Sequence, residues 1–251
     1  MPRQCGHVLY RALAIAAAVG TLAGALAAGP AGAFERRGDE KLLVIGARQD
    51  VPIMDPSIKY DASIRTMQQA LYDALVKYVG NPPEVVPWLA ESWEVSDDAK
   101  TYTFKLVDNA KFHNGDPVTA DAVRWSFERT LKLGQGPSWM IKDFLKPENI
   151  KVVDDRTIEF TLDKPYGAFL SFLPWWYIMN PAQVMAHEVD GDMGQKWLVD
   201  NAAGSGPYML KRVERGNLFE LERFDDYWRG FAGPLDGIIY KLIRESSAQR
   251  A

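Results

Sequence analysis

The chain of 251 residues holds one cysteine, Cys5, and three histidines. A single thiol cannot close an intrachain disulfide, and the two histidines in the body of the chain, His113 and His187, stand in no metal-ligand spacing. No metal and no thiolate chemistry is therefore expected. Excess positive charge is missing too: 29 Lys and Arg stand against 33 Asp and Glu, a net charge of −4. Nucleic-acid binding demands a basic face, and adsorption to an anionic membrane surface demands the same. Both classes of partner are argued against. No GxSxG, P-loop or dinucleotide fingerprint occurs. The acidic pairs Asp97-Asp98, Asp154-Asp155 and Asp225-Asp226 read as turn residues or solvated faces, a poor basis for a paired-carboxylate glycan hydrolase. Neither a cofactor nor an enzymatic activity is expected, and His113, alone in a turn, is read as structural or solvent-facing.

Long apolar runs are absent except at the amino terminus, where Ala12 to Ala28 is built from Ala, Leu, Ile, Val and Gly. Arg3 and Arg11 precede or open this run, no acid occurs before Glu35, and Ala31-Gly32-Ala33 offers a small-x-small cleavage site. These features predict a Sec-type signal peptide over residues 1–33. A transmembrane anchor is the rival reading, since a span needs about 18 apolar residues, but Ala and Gly contribute little transfer energy. Cys5 lies in the positive region and so is no lipoprotein attachment site. The mature chain would carry no cysteine, would not be membrane-inserted, and would work in the periplasm. Losing two arginines and no acid moves its net charge from −4 to −6.

What is present is a mixed α/β pattern. Lys41 to Ala47 is a short apolar run expected to be a buried strand. Ile64, Met67, Leu71, Leu75 and Tyr78 recur near helical spacing and predict an amphipathic helix over Asp61 to Tyr78. Glu94 to Ser96 and Tyr102 to Leu106 alternate as a hairpin around Asp97 to Lys100. Asn114-Gly115-Asp116-Pro117 makes a turn, and Thr119 then reads as the N-cap of a helix from Ala120 to Leu133. A second hairpin pairs Ile150 to Val153 with Thr157 to Leu162, and late strands are expected over Met209 to Val213, Phe219 to Phe224 and Gly237 to Arg244. Trp93 and Trp125 fall in periodic apolar patterns and are assigned to the core.

The segment Pro87 to Arg129 closely resembles the dipeptide/oligopeptide-type solute-binding proteins of ABC importers. The likeness rests on Pro87, Leu89 to Trp93, Ser96 to Asp98, Thr101, Tyr102, Phe104, Leu106, Lys111, Phe112, Gly115, Pro117, Thr119, Ala120, Asp121 and Val123. It departs at Val107, where that family usually carries Arg. Met54-Asp55-Pro56, Gly204-Ser205-Gly206-Pro207-Tyr208 and Asp226-Tyr227-Trp228 are similar to further family segments in the same order.

The resemblance implies an α/β, two-lobed fold of the periplasmic-binding-protein type, in the large cluster with an accessory domain. Residues 34–72 would open the first lobe, 73–180 would form the accessory domain, and 181–251 would return to the first lobe. Family members run to about twice this length. The chain is accordingly expected to be a fragment or a prematurely ended product without the second lobe. The implied function is an extracytoplasmic receptor, a monomer, that delivers peptides or related small solutes to ABC permease subunits. A sensor partner for chemotaxis or signalling, or a non-functional truncated product, are the alternatives. Candidate ligand-binding residues are Tyr60, Asp61, Ala62, Ser138, Trp139, Trp175 and Trp176, with Gly206, Pro207 and Tyr208 as a structural motif. Adjacent residues on extended backbone point to opposite sides, so one of Trp175 and Trp176 is expected to be exposed. Exposed aromatics would suit sugar rings, peptide side chains or a cationic head group; packing between domains is the alternative.

Overall fold

A computed structural model of the chain describes residues 34–231 and 233–244. The expected signal peptide lies outside the described residues. Among them, no helix is long and apolar enough to cross a membrane.

The strands are β1 (Phe34–Arg37), β2 (Glu40–Ala47), β3 (Val76–Val79), β4 (Glu84–Pro87), β5 (Ala90–Val95), β6 (Thr101–Leu106), β7 (Ile150–Asp154), β8 (Thr157–Thr161), β9 (Tyr208–Glu214), β10 (Leu218–Arg223) and β11 (Gly237–Leu242). The α-helices are α1 (Ala62–Leu71), α2 (Ala120–Leu133), α3 (Phe169–Phe172) and α4 (Pro181–Met185). A five-stranded sheet runs β1-β2-β11-β10-β9, in which β2 and β11 are parallel and the other pairs antiparallel. A four-stranded antiparallel sheet runs β5-β6-β8-β7, and β3 pairs with β4 alone.

The four-stranded sheet follows from alternation. Tyr102, Phe104 and Leu106 are buried while Thr101, Thr103 and Lys105 are not, as a side-chain period of two requires. Tyr102 faces Phe160 and Phe104 faces Ile158 across the ladder, so the apolar faces of β6 and β8 coincide. Helix α2 covers that face, with Phe127 4.8 Å from Phe160 between ring centres. Thr119 caps α2 by accepting from the Ala122 amide at 3.3 Å, and Gly134 closes it in the left-handed region. A second apolar cluster joins α1, the five-stranded sheet and the segment around Met179. Trp93 and Trp125, expected in the core, are only half-buried and pack at the edges of these two clusters.

Helix α1 stops seven residues short of its expected end. Leu71 gives its carbonyl to the Gly206 amide at 3.0 Å, and the backbone turns extended at Tyr72. Val76 to Val79 then pair with β4 as a strand, so the apolar spacing of Leu75 and Tyr78 was the work of a helix followed by a strand. Partners distant in sequence outcompete the local periodicity here.

Candidate functional site

Asp61 begins the site. It caps α1, its Oδ1 accepting from the Ser63 amide at 2.9 Å, and it pairs with Lys59. The Lys59 ammonium, then the Ser63 hydroxyl, hold its carboxyl below the usual Asp range. That carboxylate is committed to the helix start. Ala62 beside it is exposed.

Tyr60, the residue before, supports an aromatic cluster drawn from four segments. Trp139 donates its indole N–H to the Tyr60 hydroxyl at 3.0 Å, with ring centres 6.5 Å apart. Trp175 meets the same tyrosine edge-on at 6.4 Å and 80°. Phe172, from α3, stands edge-to-face against Trp139 at 6.4 Å. Arg65, one turn along α1 from Asp61, lays its guanidinium 3.4 Å from the centre of the Trp175 ring. Trp139 remains 53% exposed, unusual for so large an apolar group. Its turn, a 3-10 helix over Gly136–Met140, reaches this position because Gly136 adopts φ 52° against the Ser57 backbone. A Cβ there would stand 2.5 Å from the Ser57 oxygen.

Two candidates lie beneath this surface rather than on it. Ser138 is buried, and its carbonyl accepts from the Ile141 and Lys142 amides. Trp176 is 2% exposed and stacks on Phe127 at 4.7 Å and 22°. Extended geometry at Trp176 sends the adjacent indoles apart, but neither is exposed as expected: Trp175 is half-buried, packed against the core beside Tyr60, and Trp176 lies in the core.

Gly206, Pro207 and Tyr208 are not brought to the aromatic cluster. They pack at the end of α1, where a Cβ on Gly206 would stand 2.5 Å from the Ala70 oxygen. Neither Gly204 nor Gly206 has positive φ, so they supply room for backbone contact rather than a left-handed bend. His113 Nε2 donates to the Gly206 carbonyl at 3.0 Å, since that oxygen only accepts, and burial pushes the imidazole down to about 4.

Two polar nodes escaped sequence reading. Asp73 takes four donors: Trp88 Nε1 at 2.7 Å, Trp228 Nε1 at 3.1 Å, and the Ser205 and Tyr227 hydroxyls at 3.2 Å each. Asp55 and Arg129 form a fully buried ion pair. Arg65 was the third omission. Its spacing from Asp61 puts it on the same helix face, but nothing local in sequence marks Trp175 as its partner. Among the described residues, no group of three or more His, Cys, Asp and Glu could hold a metal ion.

Comparison with known proteins follows the same lines. The family model for bacterial extracellular solute-binding proteins, family 5, matches residues 84–251. The probable D,D-dipeptide-binding periplasmic protein DdpA of Escherichia coli is 39% identical over 215 residues, 83% of this chain and 40% of that protein. The dipeptide-binding protein DppE of Bacillus subtilis is 31% identical over 223 residues, 82% of this chain and 40% of its own length. Among solved structures, the periplasmic binding protein DppA of Helicobacter pylori, in complex with the peptide STSA, superposes with a TM-score of 0.73 at 26% identity, over 83% of this chain and 44% of that one. The chain thus spans about 40% of the length of the curated relatives it matches. These relatives are binding proteins, not enzymes, and the fold is that of periplasmic binding proteins. The chain belongs to the bacterial extracellular solute-binding proteins, family 5.

Proposed function

We propose that this chain supplies one wall of the solute site in an extracytoplasmic receptor that hands peptides or related small solutes to ABC permease subunits. It would act in the periplasm as a monomer. The observation that carries this reading is the half-open cluster of Tyr60, Trp139 and Trp175, in which a large indole is left exposed beside a fixed hydroxyl and a guanidinium. Such a surface binds apolar and ring-bearing groups without demanding one side chain, which suits a receptor of broad range. The relatives that bind dipeptides support the solute class.

In this reading Tyr60, Trp139 and Trp175 touch ligand. The backbone at Asp61 and Ala62 borders it, and Ser138 and Trp176 brace the wall from below. Residues 34–72 and 181–251 would build the first lobe. The five-stranded sheet draws only on strands before residue 48 and after residue 207. Residues 73–180, which contain both smaller sheets, would be the accessory domain. Receptors of this kind close around a hinge, and contacts on both sides favour the closed state.

Isothermal titration with di- to pentapeptides tests the reading. Saturable heat is expected, and Trp139→Ala should weaken it. No heat with any peptide of that range would remove peptides as the solute class.

A further inference from the structure

Asn114-Gly115 is the one Asn-Gly step in the chain, and both residues are exposed in the turn before α2. An asparagine followed by a residue without a side chain can close on its neighbour, because the next backbone nitrogen attacks the side-chain amide carbon. Gly115 stands at φ 92° with nothing within 4 Å of the place a Cβ would take, so water reaches the step from that side. The turn nonetheless holds every atom of the reaction. The Gly115 N–H donates to the Phe112 carbonyl at 2.8 Å. Asn114 Nδ2 donates to Asp116 Oδ2 at 2.7 Å, and Asn114 Oδ1 accepts from the Asp116 amide at 3.2 Å. A carboxylate oxygen only accepts, so the Asn114 atom facing it is the nitrogen.

Asn180 is the distant member of this knot. It is 2% exposed, and its Nδ2 donates both to Asn114 Oδ1 at 3.0 Å and to Asp116 Oδ2 at 2.8 Å. Its own place is fixed from two sides. The Ala203 carbonyl accepts from its amide at 2.9 Å, and its Oδ1 caps α4 by accepting from the Gln183 amide at 3.1 Å. The side chains of Asn180, then Asn114, hold the Asp116 carboxyl below the usual Asp range. An Asn114 amide held at both ends does not swing its carbon toward the Gly115 nitrogen. A nitrogen whose hydrogen is given to a carbonyl is a poor nucleophile until the turn opens.

We propose that Asn114 is a self-modification site, a deamidating Asn-Gly step that Asn180 and Asp116 hold shut in the folded chain. When the turn opens, the Gly115 nitrogen gives up its proton and bonds to Asn114 Cγ. The Cγ–Nδ2 bond breaks, and Nδ2 leaves as ammonia with that proton. Water then adds to either carbonyl of the cyclic imide, leaving an aspartyl or an iso-aspartyl residue. Either product sets a second carboxylate against Asp116 and removes the Asn114 donor. The iso-aspartyl product also lengthens the main chain of a turn closed by the Phe112 amide on the Asp116 carbonyl at 2.8 Å. That turn seats His113, whose amide donates to the Gly204 carbonyl at 2.9 Å, so the reaction loosens the turn from both α4 and the 204–206 segment.

Peptide mapping by mass spectrometry follows the exchange of the Asn114 amide for a carboxyl in the full chain, aged in mildly alkaline buffer with and without denaturing urea. The folded chain should react more slowly than the unfolded one by about tenfold or more, the factor set by how seldom the turn opens. Asn180→Ser keeps an oxygen to cap α4 but loses the donor to Asn114, and it should move the folded rate toward the unfolded one. Asp116→Ala does the same from an exposed position if Asn180→Ser perturbs the core. Thermal melts confirm that each variant folds. Asn114→Asp, which reproduces one product, should lower the thermal midpoint. Absence of product in urea would remove the site. Equal rates in the folded and unfolded chain, or a folded rate unchanged in both variants, would overturn the gate. An unaltered midpoint in Asn114→Asp would overturn the loosening.

Discussion

Arg129 on α2 and Asp55 in the loop after β2 form a two-pronged pair, Nη1 to Oδ1 at 2.9 Å and Nη2 to Oδ2 at 2.6 Å, with both side chains fully buried. Arg129 Nε also donates to the Met193 carbonyl at 2.9 Å. One guanidinium therefore ties the loop after β2, helix α2 and the loop at Met193 into one unit. Its fork geometry suits this task in a way an ammonium would not.

Breaking that pair from one side leaves a buried charge without its partner. Asp55→Ala should destabilise the fold by about 3–5 kcal/mol. Urea unfolding measures it. The double change Asp55→Leu with Arg129→Met should be clearly milder than the single one, because no charge is then stranded. Equal losses would show that the pair is not the source of the effect.

His113 makes stability depend on pH. Its folded pKa is pushed from 6.5 to about 4 by burial. Between those values the unfolded chain binds the proton and the folded chain does not, so stability falls as pH drops from about 6.5 to about 4. The loss is on the order of 3 kcal/mol at most. His113→Gln should flatten this part of the stability profile in melts taken between pH 4 and 7. An unchanged slope would place the titrating group elsewhere.

Gly206 tests close approach. A methyl at this position would stand 2.5 Å from the Ala70 oxygen and 2.6 Å from the Tyr72 nitrogen, both backbone atoms that cannot swing away. Gly206→Ala is expected to separate the 204–208 segment from α1 and to lower the thermal midpoint by many degrees. Gly216→Ala is the control for conformation alone, since φ is 75° there and nothing lies within 4 Å of its Cβ. Its loss should be nearer 1 kcal/mol. A smaller loss at Gly206 than at Gly216 would contradict the packing argument.

Trp139 and Trp176 should respond in opposite ways. Trp139→Ala removes an exposed ring and should leave the melting midpoint within a few degrees while weakening peptide binding by about tenfold. Trp176→Ala empties a core position stacked on Phe127 and should destabilise by about 3–5 kcal/mol. Parallel melts and titrations separate the two. A stability loss at Trp139 equal to that at Trp176 would mean the exposed indole is structural.

Local patterns in the sequence determined much of this molecule. The alternation of Tyr102, Phe104 and Leu106, the Thr119 cap and Gly134 stop of α2, and the hairpin around Asp154-Asp155 depend on neighbours within a few residues, and all appear in the structure. The segment that resembles peptide receptors also led to the right family. Tertiary structure alone decided where α1 ends, because the Gly206 amide that takes the Leu71 carbonyl and three of the four donors to Asp73 come from residues more than a hundred positions later. It likewise left Trp175 half-buried while sinking Trp176 into the core, and it set Arg65 on Trp175. Burial and pairing between distant segments are set by packing, and no local spacing encodes them.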